Sequence, residues 1–171
     1  MIFIRPEKPD DRFAIGVVHI AAFGEPNEAP LVDALRPTDA AIVSLVAENA
    51  GRIIGHILFS EVTIEENPQN KMVAGLAPLA VLPDFQKEGA GSKLITEGLK
   101  ACLNLKYDAA VILGSTAYYS RFGFHPASGY NLKCEYPVLP EDFMAMELIP
   151  HGLDQCKGLV KYHKLFGELE V

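Results

Sequence analysis

The sequence predicts a mixed α/β (α+β) fold built on a mostly antiparallel sheet, and three observations support this prediction. Two β-rich runs, at residues 41–48 and 52–65, follow one another and are joined by a short turn. A third apolar run, at 71–82, leads through a glycine-containing turn into a helical pattern that begins at Gly91. The 171 residues, 49% of them apolar, can bury one sizeable core, so a single domain over residues 1–171 is expected.

Composition narrows the classes of function. The formal net charge of −7 argues against a general nucleic-acid binder and would attract cationic amines. The three cysteines are widely separated and lack metal-ligand spacing, so neither a disulfide framework nor a metal site is expected. The amino terminus does not resemble a signal peptide, and no apolar run approaches membrane-spanning length. These features predict a cytoplasmic protein that binds neither membrane nor nucleic acid.

The amino-terminal region predicts a strand followed by two helices. Residues 2–5 alternate and are closed by a proline, as a first strand would be. Asp10 or Asp11 would start a helix that ends near Gly24. Its apolar face is predicted from residues at helical spacing: Phe13, Val17, Ile20 and Ala21. A second short helix is predicted over Glu28–Leu35.

The next three runs predict an antiparallel series of strands. The turn at 49–51 contains asparagine and glycine, which tolerate positive φ, and it predicts a hairpin between 41–48 and 52–65. A polar turn at 66–70 precedes the strand at 71–82. Pro78 lies inside that strand, and proline cannot donate to a ladder. Its position indicates an edge strand, a bulge or a point where neighbouring strands part.

The second half of the chain alternates helical and extended patterns. A helix over 91–105 leads to an apolar strand at Ala109–Leu113, which a helical crossover would make parallel to the strand at 71–82. A short helix over 117–122 would end at Gly123. Residues 125–142 are predicted to be irregular and 143–149 to form the final strand. The tail, 150–171, would add one more helical or extended element.

The turn between the third strand and the helix has the composition of an anion-binding site. Gly89 and Gly91 carry no side chains that would keep a ligand away from the backbone. The N–H groups at the start of the helix can then face an anion such as a pyrophosphate. Taken alone this signal is weak, because many helices begin with glycine.

A longer pattern makes the signal specific. The run Leu79-Ala-Val-x-Pro83-x-x-Gln86-x-x-Gly89-x-Gly91 resembles the acyl-coenzyme A signature of the GCN5-related N-acetyltransferase (GNAT) superfamily. The resemblance extends to residues 117–124, and most of the chain is similar to the YhbS-like bacterial subgroup. It implies an acyl-CoA N-acyltransferase fold whose fourth and fifth strands splay apart between flanking helices. It further implies acetyl-CoA or coenzyme A as co-substrate, no metal, and a possible homodimer.

The resemblance also implies which residues bind the acyl donor. The backbone of Leu79, Ala80 and Val81 would bind the pantetheine arm, and one of their N–H groups would polarise the thioester carbonyl. The pyrophosphate would be held by the turn and the first residues of the helix: Gln86, Lys87, Glu88, Gly89, Ala90, Gly91 and Ser92. Lys87, with Lys93 as a further candidate, would counter phosphate charge, although a solvated loop lysine is the alternative for Lys87.

Catalytic residues are predicted from the same resemblance. Tyr119 stands four residues before Gly123, as the family's tyrosine does, and is the candidate acid for the leaving thiolate. Tyr118 is the alternative, and one of the two rings is expected to be core packing.

The general base is not identified by the pattern, because residues 72–82 contain no Asp, Glu or His. The candidates are Glu25, Glu28 and Glu61, acting directly or through water. His56 could serve as a base, but a histidine in a β run is more often structural.

The resulting hypothesis is an enzyme that moves an acetyl group from acetyl-CoA to a primary amine of an unidentified small molecule or peptide by direct ternary-complex transfer. The alternative is a non-catalytic acyl-CoA-binding or sensing module, which the missing strand-four carboxylate supports. A Rossmann-type nucleotide domain is disfavoured because the early βαβ unit and the ribose-binding acid are absent from the sequence.

Overall fold

The computed structural model describes residues 1–168, and these form two compact units. The first unit contains residues 1–59 and 78–98 together with the described residues from 164 onward. The second contains residues 60–77 and 99–163. The expectation of one domain over 1–171 therefore stays a prediction, and residues 169–171 of that domain and of the predicted tail lie outside the described residues.

The helices and strands follow one another in an order close to the predicted one. In chain order they are β1 (Ile2–Pro6), α1 (Arg12–Phe23), α2 (Glu28–Leu35), β2 (Ala41–Asn49), β3 (Arg52–Glu66), β4 (Val73–Val81), α3 (Ala90–Asn104), β5 (Ala109–Leu113), α4 (Thr116–Tyr119), β6 (His125–Pro126), β7 (Leu132–Cys134), β8 (Phe143–Glu147), β9 (Lys157–Lys161) and α5 (Leu165–Glu168). Short 3₁₀ turns connect several of them. Strands β3 and β4 and helix α3 contribute residues to both units.

In the first unit, the amino-terminal strands form an antiparallel arrangement. β1 pairs with β2 from Ile2 opposite Asn49 to Pro6 opposite Leu45. Ala50 and Gly51 adopt the left-handed conformation between β2 and β3, with φ of 50° and 79°, which confirms the predicted hairpin turn. The residue after β4 joins β3, because the amide of Leu82 donates to the carbonyl of Ile54 at 2.8 Å.

The core of the first unit is formed by apolar side chains from helices and strands. These include Ile15, Val18, Leu31, Val32, Leu35, Val46, Ile54, Ile57, Leu58, Phe59, Leu94 and Ile95. The ring of Phe59 lies directly on Gly98 of α3, where the Cβ of any other residue would overlap it. Close approach of a strand side chain to the helix therefore requires glycine at position 98.

The predicted apolar face of α1 is wrong. Phe13, Val17 and Ile20 are 85%, 45% and 48% exposed, and Ala21 is also exposed. The buried positions are instead Ile15, Val18 and His19. Both sets of residues have helical spacing. The buried face was missed because it contains the polar His19, and burial of a histidine depends on tertiary partners that local spacing does not reveal.

The second unit contains the parallel strand pair. β4 runs parallel to β5 from Val73 opposite Ala109 to Leu76 opposite Ile112, which confirms the predicted crossover. β5 pairs antiparallel with β8, and β8 with β6. β4 continues five residues beyond its last pair with β5, to Val81, and Pro78 lies in this extension. Pro78 therefore lies where β4 no longer pairs with β5, which agrees with one of its three interpretations, a point where neighbouring strands part.

Two predictions for the carboxyl-terminal region are wrong. Residues 125–142 are not wholly irregular, because they contain β6 and β7, and β8 is not the last strand. β9 follows it and pairs antiparallel with the end of β3 and parallel with β7. The three residues of β7 are too few for alternation to identify, and β9, Lys-Gly-Leu-Val-Lys, does not alternate apolar and polar residues. The predicted tail thus holds two elements, β9 and α5.

The core of the second unit lies around these paired strands. Its buried side chains include Val62, Leu76, Val111, Phe124, Leu132, Phe143, Met144 and Val160. Gly75 on β4 lies under the ring of Tyr162 and beside Val62, which leaves no room for a larger residue. Within residues 1–168, no helix combines the length and apolar composition needed to cross a bilayer.

Candidate functional site

The predicted phosphate-binding turn lies in the first unit, between β4 and α3. It follows a 3₁₀ turn at Pro83–Phe85, and Gln86 donates its amide to the carbonyl of Pro83 at 3.3 Å. Lys87 and Gly89 adopt the left-handed conformation, with φ of 67° and 93°. No heavy atom lies within 4 Å of the Cβ position at Gly89, so glycine is favoured there by backbone conformation rather than by lack of space.

The turn leaves a run of backbone amides available. Among the described residues, the amides of residues 87–92 donate to no backbone carbonyl, and the first bond at the start of α3 runs from Lys93 N to Gly89 O at 3.0 Å. α3 begins at Ala90, one residue before the predicted start. Free N–H groups at a helix amino terminus, together with the positive end of the helix dipole, form a binding site for an anion. Residues 86–92 are thus brought together in one turn with free amides, and their binding of a phosphate stays a prediction.

The last residues of β4 present amides on two different edges. Leu82 donates to β3, and the carbonyl of Ala80 lies beside Gly55 of β3, so even-numbered residues face that strand. Because successive residues of a strand alternate in direction, the backbone groups of Leu79 and Val81 face the opposite edge. The Gln86 side chain supports this assignment, since its Nε2 donates to Val81 O at 3.0 Å. We call this alternation the parity of β4. It leaves the amides of Leu79 and Val81, but not that of Ala80, on the edge away from β3, where they could donate to a ligand.

Charged side chains near the turn are exposed. Lys87, Glu88 and Lys93 are all exposed to solvent. Arg52, which sequence reasoning missed, lies at the start of β3 with its guanidinium 5.6 Å from the centre of the Phe85 ring. Because Arg52 is about 35 residues away in sequence, only the fold shows that it adds a cation beside this turn.

Tyr119 lies in the second unit, at the end of α4, in an aromatic cluster. Its ring packs on Gly114, where a Cβ would overlap it, and edge-on against Phe124 at 6.0 Å between ring centres. Burial, with a smaller contribution from Tyr118, raises the pKa of Tyr119 to about 12. Its hydroxyl therefore stays protonated at neutral pH and can donate a hydrogen bond.

Tyr118 is also part of this cluster. Its ring meets Tyr119 edge-on at 4.9 Å, and the guanidinium of Arg121 lies 4.6 Å from its centre. Within residues 1–168 neither tyrosine hydroxyl has a hydrogen-bond partner. The cluster thus holds both rings in place, and the role predicted for Tyr119 stays a prediction.

The candidate bases have different surroundings. Glu25 is exposed in the loop before α2 and accepts a bond of 3.4 Å from Asn27. Glu28 is partly buried, and its Oε2 has no partner among the described residues. Glu61 is partly buried on β3. Each of these carboxylates remains a candidate.

His56 has the surroundings of a structural histidine. It is fully buried, its Nε2 lies 2.7 Å from Ser44 Oγ, and its Nδ1 lies 2.8 Å from His19 Nε2. Burial lowers the pKa of His56, and the nearby His19 and Arg36 lower it further. His19, which sequence reasoning missed, is equally buried, and its Nδ1 has no partner in the described chain. The pair is therefore a neutral buried network rather than an accessible base.

The residues that could bind a metal or form a disulfide are the His, Cys, Asp and Glu side chains of the described part of the chain. No group of three or more His, Cys, Asp or Glu side chains within residues 1–168 is arranged to hold a metal ion. Cys102, Cys134 and Cys156 are free thiols, and burial raises the pKa of each.

Sequence comparisons connect this chain to acetyltransferases. The model of the acetyltransferase (GNAT) family matches residues 14–124. YhbS of Escherichia coli K12, described as an uncharacterized N-acetyltransferase, is 35% identical over 166 residues, which are 96% of this chain and 98% of YhbS. YjhQ of the same organism, with the same description, is 36% identical over 138 residues, covering 79% of this chain and 76% of YjhQ.

Structural comparisons agree with the sequence comparisons. The crystal structure of Escherichia coli YhbS in complex with CoA has a TM-score of 0.91 and covers 97% of this chain and 92% of that one, at 35% identity. A GNAT family acetyltransferase from Brucella melitensis in complex with acetyl-CoA has a TM-score of 0.80, covering 97% and 98% at 37% identity. The predicted resemblance and the mixed α/β fold with a parallel β4–β5 pair are confirmed. The chain belongs to the acetyltransferase (GNAT) family.

Proposed function

We propose that this protein binds acetyl-CoA and transfers its acetyl group to a primary amine of a small molecule or peptide. The observation that carries the proposal is the run of free amides at residues 87–92, next to the extended end of β4. The relatives from Escherichia coli and Brucella melitensis, crystallised with CoA and acetyl-CoA, support the choice of donor.

The donor is bound by backbone groups in this proposal. Its diphosphate accepts hydrogen bonds from the amides of residues 87–92, and the Lys87 ammonium adds a positive charge, with Lys93 as a further contributor. Its pantetheine arm lies along the edge of β4 as an added strand would, bonded to the backbone of Leu79 and Val81. The backbone of Ala80 faces β3, so in this proposal Ala80 lies between the two donors without bonding to the pantetheine arm.

The transfer step needs both substrates bound together. The amine lone pair attacks the thioester carbonyl carbon, a C–N bond forms, and the C–S bond breaks. The nitrogen loses one proton and the thiolate gains one, so atoms and charge balance without an added reactant. A backbone amide of Leu79 or Val81 polarises the carbonyl oxygen, a type of interaction whose removal costs roughly 10²–10³ in rate.

Tyr119 is proposed to donate a hydrogen bond to the leaving sulfur. Its pKa of about 12 exceeds the ordinary thiol value of about 8.5, so complete proton transfer from Tyr119 to a thiolate is unfavourable by roughly a thousandfold. Stabilisation of the developing negative charge by a hydrogen bond requires no such transfer. The proton finally found on coenzyme A then originates from the amine, directly or through Glu25, Glu28, Glu61 or water.

A non-catalytic acyl-CoA sensor is the second candidate. The residues of β4, Val73–Val81, include no Asp, Glu or His, and His56 is buried in its own hydrogen-bonded network. Such a protein would bind the donor without supplying a base for the amine. It differs from the enzyme in one measurable property, which is turnover.

Calorimetry and a thiol-release assay test the proposal. Purified protein is titrated with acetyl-CoA and is then incubated with acetyl-CoA and a panel of primary amines while free thiol and acetylated amine are followed. Binding with amine-dependent release of thiol and matching acetylated product supports the enzyme. Binding with no product from any amine favours the sensor, and absence of binding overturns both.

We further propose that the protein acts in the cytoplasm and forms a homodimer, as the family resemblance implies. The free thiols at all three cysteine positions fit a reducing compartment. Sedimentation velocity on the full chain tests the dimer, and a single species with the mass of one 171-residue chain would contradict it.

A further inference from the structure

Helix α1, in the first unit, is apolar on the side that faces solvent. Arg12 and His19 are the only polar residues between positions 12 and 23, and His19 is buried. A helix that is apolar on all sides is normally covered on all sides. The exposed side, which we call the α1 apolar face, consists of Phe13, Val17, Ile20, Ala21, Phe23 and Gly24.

The α1 apolar face is large for a surface that stays in water. Phe13 is 85% exposed, Phe23 42%, Val17 45% and Ile20 48%. These four residues present roughly 400 Å² of apolar surface, a size at which patches on single proteins are often functional. Two such faces in contact would remove roughly 800 Å² from water, about half of a standard protein interface. That area fits a weak dimer in which polar residues around the face supply the rest.

The shape of the α1 apolar face is complementary to itself. Phe13 and Gly24 are about three helical turns apart, so they lie on the same side of α1, separated by roughly 16 Å. Phe13 protrudes at one end, whereas at Gly24 no heavy atom lies within 4 Å of the Cβ position. If two copies of α1 run antiparallel about a two-fold axis between residues 18 and 19, the Phe13 ring of each copy lies over Gly24 of the other. Val17 of each copy then meets Ile20 of the other.

The charges at the two ends of α1 are complementary in the same arrangement. Arg12, at the start of the helix, is exposed and forms no ion pair within residues 1–168. Glu25, just beyond the end of the helix, is exposed and accepts a bond of 3.4 Å from Asn27. Antiparallel pairing places Arg12 of one copy near Glu25 of the other. Each charge lies at the unfavourable end of its own helix dipole and at the favourable end of the partner's, so a second copy fits this face.

From these observations we propose that the α1 apolar face is the surface on which two copies of this chain pair, with one α1 antiparallel to the other. The inference rests on the proposed homodimer and specifies its interface, and it does not depend on acetyl transfer. A membrane surface fits the face less well. Helices that lie on membranes are rich in Lys and Arg on their polar side, whereas α1 carries one arginine in a chain of net charge −7.

A matched pair of variants, studied by sedimentation velocity over a series of concentrations, tests the interface. Phe13→Lys places a charge at the centre of the proposed contact and should raise the dissociation constant of the dimer roughly tenfold or more. Leu105→Lys makes the same kind of change at a residue that is 54% exposed and lies outside α1, so it should leave the constant unchanged. Both variants should keep the thermal midpoint and the affinity for acetyl-CoA of the wild type, because both positions are exposed.

Charge reversal tests the antiparallel arrangement. Arg12→Glu and Glu25→Arg each place like charges opposite one another and should weaken the dimer several-fold. The double variant Arg12→Glu/Glu25→Arg restores opposite charges and should recover most of the lost affinity. Sedimentation measures mass rather than turnover, so the result does not depend on whether Glu25 also serves as a base. A double variant no tighter than either single variant would overturn the antiparallel arrangement.

The remaining outcomes separate this inference from the proposals on which it builds. A dimer that is equally stable in Phe13→Lys and the wild type would overturn the interface and leave the homodimer standing. A wild type that stays a single chain at every concentration would overturn both, while acetyl transfer, measured by thiol release, would be unaffected. Binding of the wild type, but not of Phe13→Lys, to vesicles of anionic phospholipid would identify the face as a membrane surface and overturn the inference.

Discussion

His19 Nε2 lies 2.8 Å from His56 Nδ1, so two imidazoles from α1 and β3 share a single hydrogen bond inside the first unit. Only one proton can lie between these nitrogens, and both rings are fully buried. Burial lowers the pKa of His19 to about 4, with a further contribution from the positive charge of Arg36. The pair is therefore neutral at physiological pH, and the fold depends on its staying neutral.

Mild acid should destabilise the protein through this pair. The unfolded chain binds a proton at His19 with the ordinary pKa of about 6.5, whereas the folded chain does not bind one until about pH 4. The free energy of unfolding should therefore fall as the pH decreases from about 6.5 to about 4, by on the order of 3 kcal/mol from His19 alone. Urea unfolding at a series of pH values measures this loss.

The variant His19→Gln separates the histidine contribution from that of acidic groups. Glutamine can still hydrogen-bond to His56 but does not titrate, so the loss between pH 7 and pH 5 should be smaller than in the wild type. The pKa of Asp11 is lowered chiefly by its hydrogen bonds to Arg5, so the stability that its carboxylate contributes is lost only at lower pH. This loss should be the same in both proteins. An unchanged slope in the variant would contradict the assignment.

Substitutions in the proposed phosphate-binding turn should have different effects on stability and on affinity for the donor. Lys87 adopts a φ of 67°, which costs a non-glycine residue energy, so Lys87→Gly should keep or slightly raise the thermal midpoint. It should nevertheless weaken acetyl-CoA binding several-fold, because the ammonium is lost. Gly89→Ala, at a φ of 93°, should lower the free energy of unfolding by about 1 kcal/mol and weaken binding as well.

Differential scanning fluorimetry and calorimetry on the same samples measure both quantities. Lys106→Gly serves as the control, because Lys106 is an exposed lysine with a φ of 71° that lies outside this turn. If Lys87→Gly binds acetyl-CoA as tightly as the wild type, Lys87 is an ordinary solvated loop lysine.

Two conservative tyrosine variants should distinguish the rival candidates for hydrogen-bond donor. Tyr119→Phe removes one hydroxyl while the ring still packs on Gly114 and Phe124, so stability should change little. Its kcat should fall by roughly 10²-fold or more at an unchanged KM for acetyl-CoA, because the hydroxyl acts on the leaving group. Tyr118→Phe should retain nearly full kcat. The reverse ranking, measured by thiol release at saturating donor, would assign the role to Tyr118.

Proline substitutions test which backbone amides of β4 serve the ligand. Val81→Pro removes an N–H on the edge away from β3, so the fold should survive while kcat with acetyl-CoA falls by 10²-fold or more. Ala80→Pro removes an amide that faces β3 and should destabilise the protein severely. Val81→Ala provides the side-chain control. Equal losses of stability in the two proline variants would show that the parity assignment is wrong.

Much of the fold could be predicted because local chemistry determines it. The asparagine and glycine of the turn at 49–51 identified the hairpin, and the helical crossover after Gly91 identified the parallel partner of β4. Pro78 indicated an irregularity in β4 without fixing its kind, and the structure places it in the stretch beyond the last pair with β5. The glycines at 89 and 91 likewise indicated the turn between β4 and α3, whereas its phosphate-binding role stays a prediction.

The other features of the fold depend on contacts between residues that are far apart in sequence, and local sequence patterns do not reveal such contacts. The buried face of α1 includes His19, which is stabilised by His56 from 37 residues away. The strand β9 is defined by its pairing with β3 and β7 rather than by its own five residues. Residues 125–142, predicted to be irregular, contain β6 and β7, which are likewise defined by their pairing with β8 and β9.

Each compact unit is assembled from separate stretches of the chain, with residues 1–59 and 78–98 in one and 60–77 and 99–163 in the other. A cut near residue 99 would therefore divide both units between the two fragments, and a cut near residue 60 would divide the first unit. Shortened versions for expression should be trimmed only at the termini, and gene fusions or inserted tags are better placed at the exposed turns near residues 68–70 than within the continuous elements that the units share.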